Sequence, residues 1–164
     1  MQNGKKGQDG ATRFTGSLIG VVSGGDCPPE AYRGLMAVLP IVAKARNGLD
    51  AQPIIDLLAE DAIYEAQNVM GHIAGKAKIA EYLMGRFDFF REQKAKGRET
   101  GALKLAIVDS VPWSKTPCLA FEAEGKRPAL WILVLDERGL IKRIDVVTIA
   151  PSPASASLLK SSGG

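Results

Sequence analysis

Leu57-Leu58-Ala59-Glu60-Asp61-Ala62-Ile63-Tyr64-Glu65-Ala66-Gln67, with Gly75-Lys76-Ala77-Lys78-Ile79-Ala80-Glu81-Tyr82-Leu83 shortly after it, decides how this chain folds. The first stretch reads as a helix running straight into a strand at Asp61-Ala62. The second starts on Gly-Lys and continues as a helix, with apolar residues returning at spacings of four and three. Helix, strand, turn and helix in this order open a curved α+β cone with a built-in pocket. The chemistry stays open, because one such scaffold serves enzymes, binders and assembly modules alike.

Working outward, the strand is expected over 62–69. The Gly71-His72-Ile73-Ala74-Gly75 segment is expected to turn, with at most a brief strand. The longest helix is expected from Lys76 to Gln93, burying Ile79, Leu83, Phe87 and Phe90. Upstream, Ile54, Ile55, Leu57 and Leu58 mark a short helix. Before it, Leu35, Leu39, Val42 and Arg46 share one face of another, which Asn47-Gly48 stops and Pro40 should kink or divide by removing a helical hydrogen bond. Downstream, strands are expected over 102–111, 118–124, 129–135 and 140–149. Asp136-Glu137-Arg138-Gly139 makes the hairpin loop between the last two. Helices first and a mostly antiparallel sheet afterwards argue α+β rather than alternating βαβ units.

The 164 residues, 46% of them apolar, suit one domain with a substantial core. We expect a flexible arm over 1–30, rich in Gly, Ser, Asp and Lys and with a short strand at Ser17–Val22, the domain over 31–150, and a tail over 151–164. A net charge of +3, partly in the tails, with no basic cluster carrying interleaved aromatics, argues against nucleic acid. No run approaches the ~20 apolar residues that span a bilayer, so a soluble, cytoplasmic protein is expected. Cys27 and Cys118 are too few for a disulfide framework and are read as reduced thiols. One histidine and no clustered carboxylates leave too few ligands for a metal, and no cofactor is expected.

Three strings, Asp61-Ala62-Ile63-Tyr64-Glu65, Gly75-Lys76 and Gly139-Leu140-Ile141-Lys142-Arg143-Ile144-Asp145, resemble the nuclear transport factor 2-like superfamily in its SnoaL-like branch. The resemblance covers residues 31 to 150. It implies a strongly curved sheet wrapped around the N-terminal helices as a cone, an internal pocket on the concave side, and a homodimer.

Strand alternation sorts the side chains independently of that resemblance. Tyr64, Phe121, Trp131, Leu133, Ile144 and Val146 fall on the apolar faces and are expected to line the pocket, with few ionisable groups beyond the phenol. Asn68 shares the parity of Tyr64 and offers an amide at the rim, whereas Glu65 and Gln67 take the outer face, where a dimer partner would meet them. Arg143 and Asp145 share the face opposite Ile144, which points Asp145 to solvent. A one-residue shift would turn it inward. Each apolar residue could equally be ordinary core packing.

The resemblance extends to two enzymes. Where ketosteroid isomerase carries its general base this chain has Ala66, and near its proton-donating aspartate stands Trp131, so that proton abstraction has no base here. Limonene epoxide hydrolase is similar at Tyr64, but its asparagine again falls on Ala66, and Asp145 lies within one residue of its final aspartate. The leading expectation is therefore a homodimer binding a small apolar molecule. The alternatives are an enzyme using Tyr64 with Asp145 or His72, and a protein-interaction module.

Overall fold

The computed structural model describes residues 12–14, 27–66, 71–108, 116–125 and 128–148. The expected strand at Ser17–Val22, and Gln67 and Asn68, lie outside the described residues. The elements follow as β1 (Thr12–Phe14), α1 (Pro29–Asn47), α2 (Gln52–Leu57), β2 (Leu58–Ala66) and β3 (His72–Ala74). Then come α3 (Lys76–Ala95), β4 (Ala102–Val108), β5 (Thr116–Glu122), β6 (Ala129–Leu135) and β7 (Ile141–Thr148). The strands form one open sheet in the order β1-β4-β5-β6-β7-β2-β3. Four pairings are antiparallel, while β2 with β7 and β1 with β4 run parallel. This is the expected α+β arrangement of helices followed by a mostly antiparallel sheet.

α1 starts on prolines, whose missing N–H groups are unneeded in a first turn. It runs on undivided through Pro40, so of the expected kink or division the division does not occur. Pro40 is exposed, so water can serve the carbonyl that the ring leaves without a partner. The opposite side of α1 buries Leu35, Val38, Leu39, Val42 and Arg46. The strand after α2 begins at Leu58, four residues before the expected Ala62. Leu58 pairs with Ile141, and an irregularity separates that pair from Ile63↔Arg143. Short apolar runs such as Leu57 to Ala59 fit either element, and tertiary pairing decides.

Gly75, at φ 99°, occupies a backbone region that a side chain would strain. Its N–H donates to the Ala62 carbonyl at 2.8 Å and so fixes the start of α3 against β2. From there Ile79, Leu83 and Phe87 are buried at spacings of four. They join Leu39, Val42, Leu119, Leu133 and Ile144 in one core between the helices and the sheet. A second apolar cluster, with Ala120, Leu130, Ile132 and Val147, occupies the alternate positions of the same strands.

The end of α1 is tied to the start of β4. Asn47 Nδ2 donates to the Leu103 carbonyl at 3.0 Å, and the Leu103 N–H donates to Asn47 Oδ1 at 2.7 Å. No helix among the described residues is long and apolar enough to cross a membrane.

Candidate functional site

Core packing stops before the end of the strands, and there α3 and the sheet border a half-open cavity of about 940 Å³. That is ample for a small molecule, since ligand pockets run ~300–1,000 Å³. Tyr64 and Ala66 of β2, Phe121 of β5, Trp131 of β6, and Val146 and Thr148 of β7 form the sheet wall. Register brings these together: Tyr64 pairs with Ile144, Ala66 with Val146, and Val146 with Trp131. From α3 come Tyr82, Leu83, Phe87, Phe89 and Phe90.

Of the residues singled out in the sequence, Tyr64, Phe121, Trp131 and Val146 stand on this wall. Leu133 and Ile144 share their face but are buried in the core, off the cavity. Both sit further along their strands, where α1 and α3 fill the cone. His72 is exposed at the start of β3, in register with Glu65. Asp145 accepts hydrogen bonds from Arg143 Nε at 3.0 and 3.1 Å, and Arg143 also pairs with Glu65. Neither His72 nor Asp145 lines the cavity, so Tyr64 is not brought together with either of them.

The expectation of few ionisable groups on the wall is corrected by three arginines. Arg46, Arg86 and Arg98 all line the cavity, accompanied by the exposed Glu99. They come from the helices and from the 98–100 segment, about which strand alternation says nothing.

Arg46 is the unusual one, being 2% exposed and the buried charged residue among the described ones. Its Nη2 donates to the Thr100 carbonyl at 2.6 Å. Its guanidinium carbon lies 4.5 Å from the Phe90 ring centre and 5.5 Å from that of Phe121. Nη1 is buried with no hydrogen-bond partner among the described residues. Burial first, and the Arg86 charge second, pull the Arg46 pKa down to about 10, so it remains cationic at neutral pH. Cation–π contacts return ~0.5–2 kcal/mol to such a group, whereas a buried unpaired donor costs ~1–3 kcal/mol and more when charged. The site thus holds an incompletely compensated positive charge. Arg86 adds to it, with its guanidinium carbon 4.7 Å from the same Phe90 ring.

Tyr64 packs against Tyr82, ring centres 5.1 Å apart. Burial foremost, and then Tyr82 as neighbour and hydrogen-bond partner, push the Tyr64 pKa far above the usual phenol value. The phenol is neutral at physiological pH and can orient a ligand by hydrogen bonding, without serving as a base.

Phe121 owes its place to a glycine. Gly101 has φ +77°, and a Cβ there would collide with the Phe121 ring and stand 3.0 Å from the Ala123 Cβ. A second depression of about 750 Å³ adjoins, sharing Thr100 and Phe121, but much of its wall is charged surface, including the Lys104–Glu122 pair at 3.0 Å. Among the described residues no group of three or more His, Cys, Asp or Glu could hold a metal. Both cysteines are free, and burial raises both thiol pKa values.

With this geometry in view, solved structures give the fold a context. A steroid delta-isomerase from Pseudomonas aeruginosa is similar at 14% identity and a TM-score of 0.50, over 79% of this chain and 89% of that one. A SnoaL-like protein of unknown function from Burkholderia thailandensis is similar at 10% identity and a TM-score of 0.51, over 75% of this chain and 98% of that one. No family model matches the chain, and no curated protein does. The chain has the nuclear transport factor 2-like, cystatin-like fold. Ala66 and Trp131, which stand where the resemblance to ketosteroid isomerase would need carboxyl groups, are both on the cavity wall.

Proposed function

We propose that this chain binds a small, largely apolar molecule in the cone cavity and does so as a cytoplasmic homodimer. The observation that carries the reading is the cavity of about 940 Å³ walled by Tyr64, Phe87, Phe90, Phe121, Trp131 and Val146. Aromatic walls with a few convergent polar groups are the usual make-up of small-molecule sites. Binding is favoured over turnover because Asp145 and His72 are off the cavity and Tyr64 is held neutral. The partner protomer is assigned to the outer side of β2 and β7. Next to them, Val134 of β6, 40% exposed, pairs in register with Arg143, which also pairs with Glu65.

The test is a fluorescence titration with N-phenylnaphthylamine, a neutral dye that brightens in apolar sites. Saturable binding of one dye per chain is expected, weakened by at least about tenfold in Trp131→Ala, since burying an aromatic contributes ~1.5–3 kcal/mol. Non-saturable binding, or equal binding by the variant, contradicts the reading. Light scattering that finds a monomer would remove the dimer from it.

A further inference from the structure

We infer that the ligand of this cavity carries a carboxylate, which pairs with the Arg46 guanidinium while the apolar body of the molecule lies against Trp131 and Val146. The inference rests on the small-molecule reading above and adds the chemical class of the ligand.

Three independent observations lead there. First, Arg46 is 2% exposed, lines the cavity, and has a buried Nη1 without a hydrogen-bond partner among the described residues. A guanidinium offers five N–H donors in a fixed fork that matches a carboxylate bidentately. Here the Thr100 carbonyl takes one donor, from Nη2. Second, the charge environment is one-sided. Arg86 and Arg98 also line the cavity, and Glu99, the acidic residue on its described wall, is exposed and accepts from the Glu124 N–H. Among the described residues neither Arg46 nor Arg86 forms a salt bridge, unlike Arg91, Arg138 and Arg143. A concave, low-dielectric wall of one sign focuses its field on an incoming ion of the other sign. Third, the ring that covers Arg46 belongs to the cavity wall itself. Phe90 is half-buried at the cavity side, in cation–π reach of both Arg46 and Arg86. On this inference the ring turns aside to admit the anion to the guanidinium edge.

A structural role alone accounts for less of this. An arginine that only clamps the 98–101 segment needs the Thr100 contact, and the adjacent Asn47 already holds Leu103 by two hydrogen bonds. A neutral amide donor would make the Thr100 contact without burying a charge.

The experiment compares pyrenebutyrate with pyrenebutanol, which share one apolar body and differ in the anionic head. Both are titrated by fluorescence against the wild-type full chain and against Arg46→Met, which keeps an unbranched apolar stem and removes the charged head. The wild type is expected to bind the acid at least about tenfold more tightly than the alcohol, the usual size of a hydrogen bond to a charged group. Added salt should narrow the gap. Arg46→Met is expected to abolish the preference while keeping alcohol binding. Equal affinity of the wild type for acid and alcohol overturns the inference and leaves the small-molecule reading standing. Failure of both probes to bind the folded wild type overturns that reading itself, and the inference with it. Because the acid-against-alcohol comparison uses the wild type alone, it decides even if Arg46→Met does not fold. A preference that survives in a folded Arg46→Met also overturns the assignment to Arg46.

Discussion

Arg46 and Arg143 are the same residue in opposite circumstances. Arg143, on the outer face, lies between Asp145 and Glu65, and its pKa is raised, chiefly by the hydrogen bond it donates to Asp145. Arg46, at the cavity, has a backbone carbonyl and two aromatic faces but no carboxylate, and burial lowers its pKa. The folded chain answers one cation with its own carboxylates and, among the described residues, gives the other none. The outer-face charges complete the structure. On the inference drawn above, the cavity charge is completed by a ligand's carboxylate.

The largest way to break the comparison is to empty the cavity wall. Trp131 is 8% exposed, and Trp131→Ala should cost about 3 kcal/mol of stability in chemical denaturation and also weaken apolar ligands. A smaller loss, about 1–3 kcal/mol, is expected for Gly101→Ala, because the backbone is left-handed there and the new Cβ displaces Phe121. Dye affinity should fall with it, since Phe121 is a wall residue.

Arg46→Met should move stability the other way. Replacing an incompletely compensated buried charge with an apolar side chain of similar volume is expected to raise the unfolding free energy by about 1 kcal/mol. Stability gained together with acid binding lost would be the signature of a residue kept for function.

On the outer face Asp145→Asn leaves Arg143 its Glu65 partner, so a change below about 1 kcal/mol is expected, with cavity binding unaltered. The two faces should also part in alkali. The Tyr64 pKa is raised above its ordinary 10.0 in the folded state, so its contribution is complete below pH 10.0 and is lost as the pH climbs toward the folded value. Denaturant midpoints for Tyr64→Phe should therefore fall less steeply than the wild type's between about pH 9 and 11.

Much of the cone could be read from the residues because its signals are periodic. The Gly75-Lys76 start, the Ile79–Leu83–Phe87 face and the hairpin at Asp136 to Gly139 are local, and local patterns survive folding. Alternation also identified the face of Tyr64, Phe121, Trp131 and Val146. What alternation does not encode is where along a strand the helices stop filling the cone. Leu133 and Ile144 have the right parity yet lie in the core for that reason.

Arg46 was visible only as the odd member of the Leu35–Leu39–Val42 stripe. That stripe says the side chain is buried. That it lacks a carboxylate depends on Thr100, Phe90 and Phe121, residues 44 or more positions away, brought together by the β4 pairing and by the packing of α3. By spacing alone Phe90 reads as core, and only the tertiary structure places it between two arginines.

The most direct test is an NMR titration of the wild type with N-phenylnaphthylamine, following side-chain resonances on both faces. Saturable shifts at Tyr64, Phe90 and Trp131, with Glu65, Val134 and Asp145 unmoved, are the predicted result. Shifts confined to the outer face, or none that saturate, would contradict the cavity as the site.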